Sequence, residues 1–466
     1  MKKIIAILLG VALSVSTLAS AKAVEITGGM SDIWWANTDT NGKTSVAYWD
    51  IWNYENQNYD NYFVFNFDGT DEGWSEPVVV GADYVFDVEV LSSGKIIYVY
   101  LDNDDDVVYL QSTMDGNNFS IRTELPVDNG MTIDSDSELV IDSLGKIITI
   151  IGEFRDESSV HLFSWISNKT QSAWTKKVVT DNVFPTSTFD FCEYSSETCF
   201  HGIQNLTFGQ NAKGQQSLVA RVKVATNSAD PNTEQWANIA YQRKSATSNW
   251  KSPQVLDTFG PEEINSYTYM VGPVVVTPKG KSAYAYSKGY NDDPHAIQIF
   301  VSSGFGKKFV RKDQGVLSSV YGTESPTLVN VGEKIYTAFN KNTSAEDEDH
   351  PDVYFGEVGK LNKAKKVGTA GSHRMVSFGQ LNGKLTVVSE SESDGKFSVQ
   401  VRKFNGKKWS GPKTILNHPN GFGISPWDSG CDVSAKLFIC SASVLAEAYD
   451  PENYQNPIGL NVEIIR

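Results

Sequence analysis

The sequence predicts an all-β fold made of one repeated four-stranded unit, and three observations carry that prediction. A tight-turn signal recurs at near-constant spacing, a β-rich run follows each turn, and no stretch shows the 3.6-residue periodicity of a helical repeat. Aromatic residues make up 12% of the chain (Trp 11, Tyr 20, Phe 23), a bias that favours strands.

The turn signal is a small residue beside Gly-Lys, or a close variant. Its centres are Gly42, Gly94, Gly145, Gly214, Gly280, Gly332, Gly383 and Ala435, spaced 52, 51, 69, 66, 52, 51 and 52 residues apart. Apolar runs follow at Ile96 to Tyr100, Ile147 to Ile151, Ser282 to Tyr286, Ile335 to Phe339, Leu385 to Ser389 and Leu437 to Ser441. After a polar loop come second runs, among them Tyr62 to Phe67, Val160 to Trp165, Ala296 to Val301 and Phe397 to Arg402. A short turn then leads to an aromatic that opens a last strand: Trp74, Phe119, Trp174, Trp250, Phe309 or Trp409. Three of these are followed by Pro77, Pro253 and Pro412, which suit an outermost strand with a free edge.

Each unit therefore reads as strands a-b-c-d in antiparallel order, which at this repeat length means a propeller blade. The length prior of roughly 100–200 residues per domain suggests two or three domains. The repeat replaces that with a single β-propeller domain over residues 24–466. Eight blades are expected, with seven as the alternative if the first or the irregular fourth unit is misread. The last unit ends without a strand d, and Val24-Glu25-Ile26 near the other end of the chain is the expected closing strand.

Residues 1–23 read as an export signal. Lys2 and Lys3 precede a short apolar stretch from Ile4 to Leu13, and Ala19-Ser20-Ala21 or Ala21-Lys22-Ala23 supplies a small-residue cleavage site. The stretch is too short to span a membrane, and no later one is long and apolar enough. The expected destination is the periplasm or the cell exterior. There, local disulfides Cys192–Cys199 and Cys431–Cys440 would be permitted. Neither pair has the CxxC spacing of a thiolate zinc site.

The formal charge is −16, and −19 once Lys2, Lys3 and Lys22 are removed, which argues against a nucleic-acid partner. Much of the acid lies in expected b–c loops: Asp102 to Asp106, Glu153 to Glu157, Asn291 to Asp293, Glu346 to Asp349 and Glu390 to Asp394. In a propeller these loops share a face with the d–a connections, so one face is acidic and elaborated. The expected partner is a neutral or cationic glycan, or an extracellular protein, and the chain is expected to be a monomer. Asp102, Asp104 and Asp106 make an oxygen-rich loop that would suit calcium, against the plainer reading of a solvated acidic loop. No other cofactor is indicated. The six histidines show no paired-ligand spacing for zinc.

Residues about ten positions before each turn centre should ring the mouth of the central funnel. They include Asp32, Asp87, Asp136, His201, Tyr267, Glu324, His373, Arg374 and Asp428. Of these, His201, Tyr267, Glu324, His373, Arg374 and Asp428 are the candidate catalytic residues. A carboxylate pair could act on a glycosidic bond, and a His with a Tyr could remove a proton from a uronic acid while Arg374 offsets its charge. The competing reading is a solvated funnel wall. Trp52, Tyr54 and Tyr59, in the first b–c connection, are the candidate ring-stacking residues for a sugar.

The segment Ser112-Thr113-Met114-Asp115-Gly116-Asn117-Asn118-Phe119 resembles the Asp-box of sialidase-like (BNR-repeat) propellers, and it lies in a c–d turn as that box does. Ser302 to Phe309 and Phe404 to Trp409 look like eroded copies that lack the Asp. The resemblance implies the fold and not an activity. The family's Arg-Ile-Pro motif is absent, and no Arg precedes Arg122. Sialidase activity is therefore not expected. The expected function is an exported propeller that binds or processes carbohydrate on its acidic face, as a lectin, a polysaccharide lyase or a glycoside hydrolase. The alternative is a noncatalytic protein-interaction propeller.

Overall fold

A computed structural model describes residues 24–27, 35–39, 41–53, 58–70, 73–80, 84–102, 107–128, 130–133, 137–155, 159–185, 203–225, 234–259, 274–288, 296–312, 323–341, 352–368, 375–393, 396–416, 424–433, 438–444 and 459–465. The fold is all-β. After β1 (Val24–Thr27), the first sheet comprises β2 (Trp35–Thr38), β3 (Ser45–Asn53), β4 (Asn58–Asn66) and β5 (Val78–Val80). The second has β6 (Tyr84–Val90), β7 (Ile96–Asp102), β8 (Val107–Thr113) and β9 (Thr123–Glu124). The third has β10 (Leu139–Leu144), β11 (Ile147–Arg155), β12 (Ser159–Ser167) and β13 (Trp174–Pro185). The fourth has β14 (Ile203–Gln210), β15 (Gln216–Ala225), β16 (Glu234–Arg243) and β17 (Gln254–Phe259). The fifth has β18 (Val275–Val276), β19 (Ser282–Lys288), β20 (Ala296–Ser302) and β21 (Phe309–Lys312). The sixth has β22 (Thr323–Val331), β23 (Lys334–Lys341), β24 (Asp352–Glu357) and β25 (Lys365–Lys366). The seventh has β26 (Met375–Leu381), β27 (Lys384–Ser393), β28 (Lys396–Lys403) and β29 (Lys413–Leu416). The last three strands, β30 (Ile424–Val433), β31 (Phe438–Val444) and β32 (Gly459–Ile465), pair in sequence, and β1 is antiparallel to β32 with Val24 opposite Val462.

These are the four-stranded antiparallel blades of a propeller. The first strand of each sheet lies against the first strand of the next, from β2 through β30, and β30 also lies against β2. Each core cluster straddles two neighbouring sheets. Ile96, Tyr98 and Tyr100 of β7 pack toward Val46, Phe63 and Phe65 of the first sheet. Ile97, Val99 and Leu101 of the same strand pack toward Ile141, Ile148 and Trp165 of the third. Both faces of β7 are thus buried, so its sequence is continuously apolar rather than alternating. The outermost strands are different: Val79, Val178, Val255 and Val310 are exposed there.

The a–b turns follow from glycine chemistry. Gly42, Gly94, Gly145, Gly214, Gly280, Gly332 and Gly383 all have positive φ. At Gly42, Gly94, Gly214 and Gly280 the N–H donates to the carbonyl three residues earlier. Ala435 lies outside the described residues.

The expectation that an aromatic opens each outer strand needs correction at several sheets. Trp174 and Phe309 do open β13 and β21. Trp74, Phe119 and Trp409 instead make isolated bridges to Asn66, Thr113 and Phe404. The strand resumes only after Pro77 before β5, after Pro253 before β17 and after Pro412 before β29. Proline has no N–H for the ladder, so pairing breaks there.

The Ser112–Phe119 turn is structural. Asp115 Oδ1 accepts the N–H groups of Asn117 (3.0 Å) and Asn118 (2.8 Å), and Oδ2 accepts from Asn118 Nδ2 (2.7 Å). These bonds hold the exposed Asp115 carboxyl down to about 2. Asn405 Oδ1 does the same for Lys407 and Lys408, so asparagine replaces the missing Asp of that copy. A Cβ on Gly116 (φ +73°) would lie 2.7 Å from the Phe65 ring, whereas one on Gly145 (φ +66°) would meet nothing within 4 Å. Gly145→Ala should therefore cost only the left-handed strain, about 1–2 kcal/mol. Gly116→Ala should cost about 1–3 kcal/mol more through overpacking. Denaturant midpoints of the two variants check the ordering, and equal losses would show that Phe65 yields freely.

Candidate functional site

The inner strands position the candidate site. Each begins at the d–a end and finishes at an a–b turn, so its first residues share an end with the b–c hairpin tips. That end is irregular in several sheets. The β6–β7 register shifts between Val85 and Asp87, and the β14–β15 register between Ile203 and Asn205. It shifts between Glu324 and Thr327 in β22–β23, between Met375 and Ser377 in β26–β27, and between Ile424 and Ser429 in β30–β31. Bulges of this kind re-aim side chains and are frequent beside active sites. Glu324 stands at the edge of one shift, opposite Asn340, and Asp428 falls inside another.

His201, Tyr267, His373 and Arg374 lie outside the described residues, as do Asp32 and Asp136. Trp52 and Tyr59 lie not in the b–c connection, as expected, but within strands β3 and β4, because the ladder runs on to Asn53 and Asn58; they are register partners one pair before its end. Tyr54 is in the connection, outside the described residues. Asp102 accepts from Arg122 Nη1 at 2.5 Å, so a cation would compete with a guanidinium there. Asp104 and Asp106 are outside the described residues, and among those described no group of three or more His, Cys, Asp or Glu is placed to hold a metal. Cys431 is the register partner of Cys440, while Cys192 and Cys199 are outside the described residues.

Two carboxylate clusters emerge that the sequence did not assemble: it named Asp87 only as a funnel residue, and it expected Glu153 in a b–c loop, whereas Glu153 lies inside β11 and is buried. The first is at the d–a end of the third sheet. Glu153 is fully buried; its Oε1 accepts from Arg155 Nε (2.8 Å) and its Oε2 from the Ile203 N–H (3.1 Å) of the next sheet. Its N–H donates to the Glu138 carbonyl. Burial, then the charge of Glu153, pushes the half-buried Glu138 up to about 8. Glu138 is thus a protonated acid at neutral pH beside a fixed carboxylate, a pairing suited to proton donation. Glu153 itself is sealed in and acts on Glu138 rather than on a ligand.

The second group lies nearer the a–b turns. Glu89 Oε2 accepts from Asn37 Nδ2 of the first sheet (3.0 Å), and Oε1 accepts from Ser143 Oγ of the third (2.5 Å). Asp87 Oδ2 accepts the Ile141 N–H (2.8 Å). These carboxyls staple three sheets together. Burial, then Asp142, raises Glu89 to about 8, and burial raises Asp142 to about 6. The available signal was a charge inside an otherwise apolar inner strand, as in Asp87-Val88-Glu89-Val90.

No protein-family model matches the chain, and no curated protein matches it. Among solved structures it is similar to an ulvan lyase, described as a new family of polysaccharide lyase. The identity is 11%, with 86% of this chain and 98% of that chain covered and a TM-score of 0.47. It is similar to an α-L-arabinofuranosidase of Fusarium graminearum at 11% identity, covering 72% and 97% of the two chains at a TM-score of 0.38. It is also similar to an acylaminoacyl peptidase of Pyrococcus horikoshii at 10% identity and a TM-score of 0.43; 90% of this chain is covered, spanning 58% of that one.

The raised carboxyls set a pH dependence. Glu89 binds its proton more tightly folded (about 8) than at its ordinary value of 4.5. Its contribution to stability is therefore complete below about pH 4.5 and is lost as pH rises through about 8. Melting temperature should fall across that window, and Glu89→Gln should flatten the fall. A Glu89→Gln profile as steep as wild type would remove Glu89 as the cause.

Proposed function

We propose that this chain is an exported, sialidase-like propeller that binds or processes carbohydrate at the d–a and b–c end of its blades. One observation carries this reading. Trp52 and Tyr59 occupy paired positions at the tip of the β3–β4 hairpin, with Tyr54 in its connection. Three aromatics at one hairpin tip suit ring stacking on a sugar. The register shifts at Asp87, Glu324 and Asp428 support a reaction or recognition centre at the same end. There Glu324, Asp428, His201, Tyr267, His373 and Arg374 are the proposed acid, base and charge-offsetting groups. Residues 1–23 are the proposed export signal. All eight four-stranded sheets, with β1 as the fourth strand of the last, are proposed to form one ring. Cys431–Cys440 and Cys192–Cys199 are proposed disulfides, the first supported by register pairing. Calcium at Asp102, Asp104 and Asp106 is retained only as a condition of the test.

The test is a broad glycan array probed with the mature chain, with and without calcium, followed by a polysaccharide-degradation screen. Binding is expected, and Trp52→Ala with Tyr59→Ala should weaken it about tenfold or more while the melting temperature holds. Absence of binding on the whole array would reject the carbohydrate reading. Degradation that survives replacement of His201, Glu324 and His373 would reject the catalytic assignment alone.

A further inference from the structure

A buried cation lies in the seam between the third and fourth sheets, far from the proposed carbohydrate end. Arg243 is the last residue of β16, next to the c–d turn, and is 0% exposed. Its Nε donates to Gln216 Oε1, and its Nη1 donates to Ser164 Oγ at 3.1 Å. Its guanidinium lies 4.3 Å from the centre of the Trp250 ring. Its Nη2 has no hydrogen-bond acceptor among the described residues. No carboxylate among them contacts it, and burial alone pulls its pKa down to about 9.

The surrounding groups supply neutral dipoles rather than negative charge. Trp250 Nε1 also donates to Ser164 Oγ (3.2 Å), and Ser164 passes its own hydroxyl hydrogen to the Lys177 carbonyl (3.3 Å). Gln216 Nε2 donates to Gln210 Oε1 (3.0 Å) and Thr149 Oγ1 (3.3 Å), which fixes the amide so that its oxygen meets Arg243. Even with these bonds made, Nη2 has no acceptor among the described residues. A full charge in a low-dielectric seam is costly unless an opposite charge approaches it. An arginine without a carboxylate, and with one free donor, is the arrangement that takes a small anion.

We propose that Arg243 Nη2 holds a monovalent anion of chloride size between the two sheets, and that this anion is part of the folded structure. The site is independent of the carbohydrate reading, because it lies at the opposite end of the strands. Binding to the folded state alone raises stability by mass action. At constant ionic strength, replacing gluconate by chloride or bromide should raise the melting temperature by roughly 2–4 °C. Arg243→Gln should remove the difference between the anions. Because that variant could fail to fold, the wild-type chain crystallised in sodium bromide supplies the second measurement. An anomalous bromine peak in contact with Nη2 is expected. Equal melting temperatures in gluconate and halide, an undiminished halide effect in Arg243→Gln, or a water at Nη2 with no bromine signal would each overturn the proposal.

Discussion

The four-stranded sheets from the second to the sixth each have two apolar faces and must hide both, which a single sheet cannot do. Strand β7 illustrates the constraint. Its even-numbered residues pack on the first sheet and its odd-numbered ones on the third. The interiors of these sheets are therefore completed by their neighbours, and the repeat spacing follows. The same constraint keeps hairpin turns tight and inner strands close. Gly209 illustrates how close: a Cβ there would lie 2.0 Å from the Val274 carbonyl oxygen of the next sheet.

Sheets packed on both faces leave little room for polar groups, and those that enter must be satisfied across a seam. Glu89 reaches both neighbouring sheets, Asp87 takes a backbone N–H from the next, and Glu153 is held by Arg155 and by the start of β14. These groups hold register between sheets, where apolar packing alone is tolerant of sliding. Glu89 also acquires a raised pKa, as do Glu138 and Asp142, because a carboxyl buried at such a seam is short of water. The d–a ends relax this tightness. Register shifts accumulate there: the ladder skips Phe86 beside Asp87, Ser325 and Pro326 beside Glu324, and the stretch between Ile424 and Ser429 that holds Asp428.

The candidate site was less legible than the frame that holds it. Asp87, Glu324 and Asp428 were reachable by counting back from turn glycines, because that count follows strand rise. Glu89, Glu138, Asp142 and Arg243 were not, because a charge within an apolar strand marks at most that a residue is unusual and not which groups it meets. Their meaning depends on contacts 50 or more residues away: 52 between Asn37 and Glu89, 54 between Glu89 and Ser143, and 79 between Ser164 and Arg243. Those separations are near one repeat or more, so they reflect neighbouring sheets rather than neighbouring turns.

The sequence by itself determined the repeat, the strand order within each unit and the turn positions. The reason is that a glycine at positive φ, a β-branched run and a proline at a free edge act locally, on their own few residues. Only the tertiary structure decided which polar side chains face one another, where the inner ladders slip and which charges are buried. Those outcomes depend on how adjacent sheets register, and a bulge of a residue or two changes a side chain's facing partner without leaving a trace in composition or spacing.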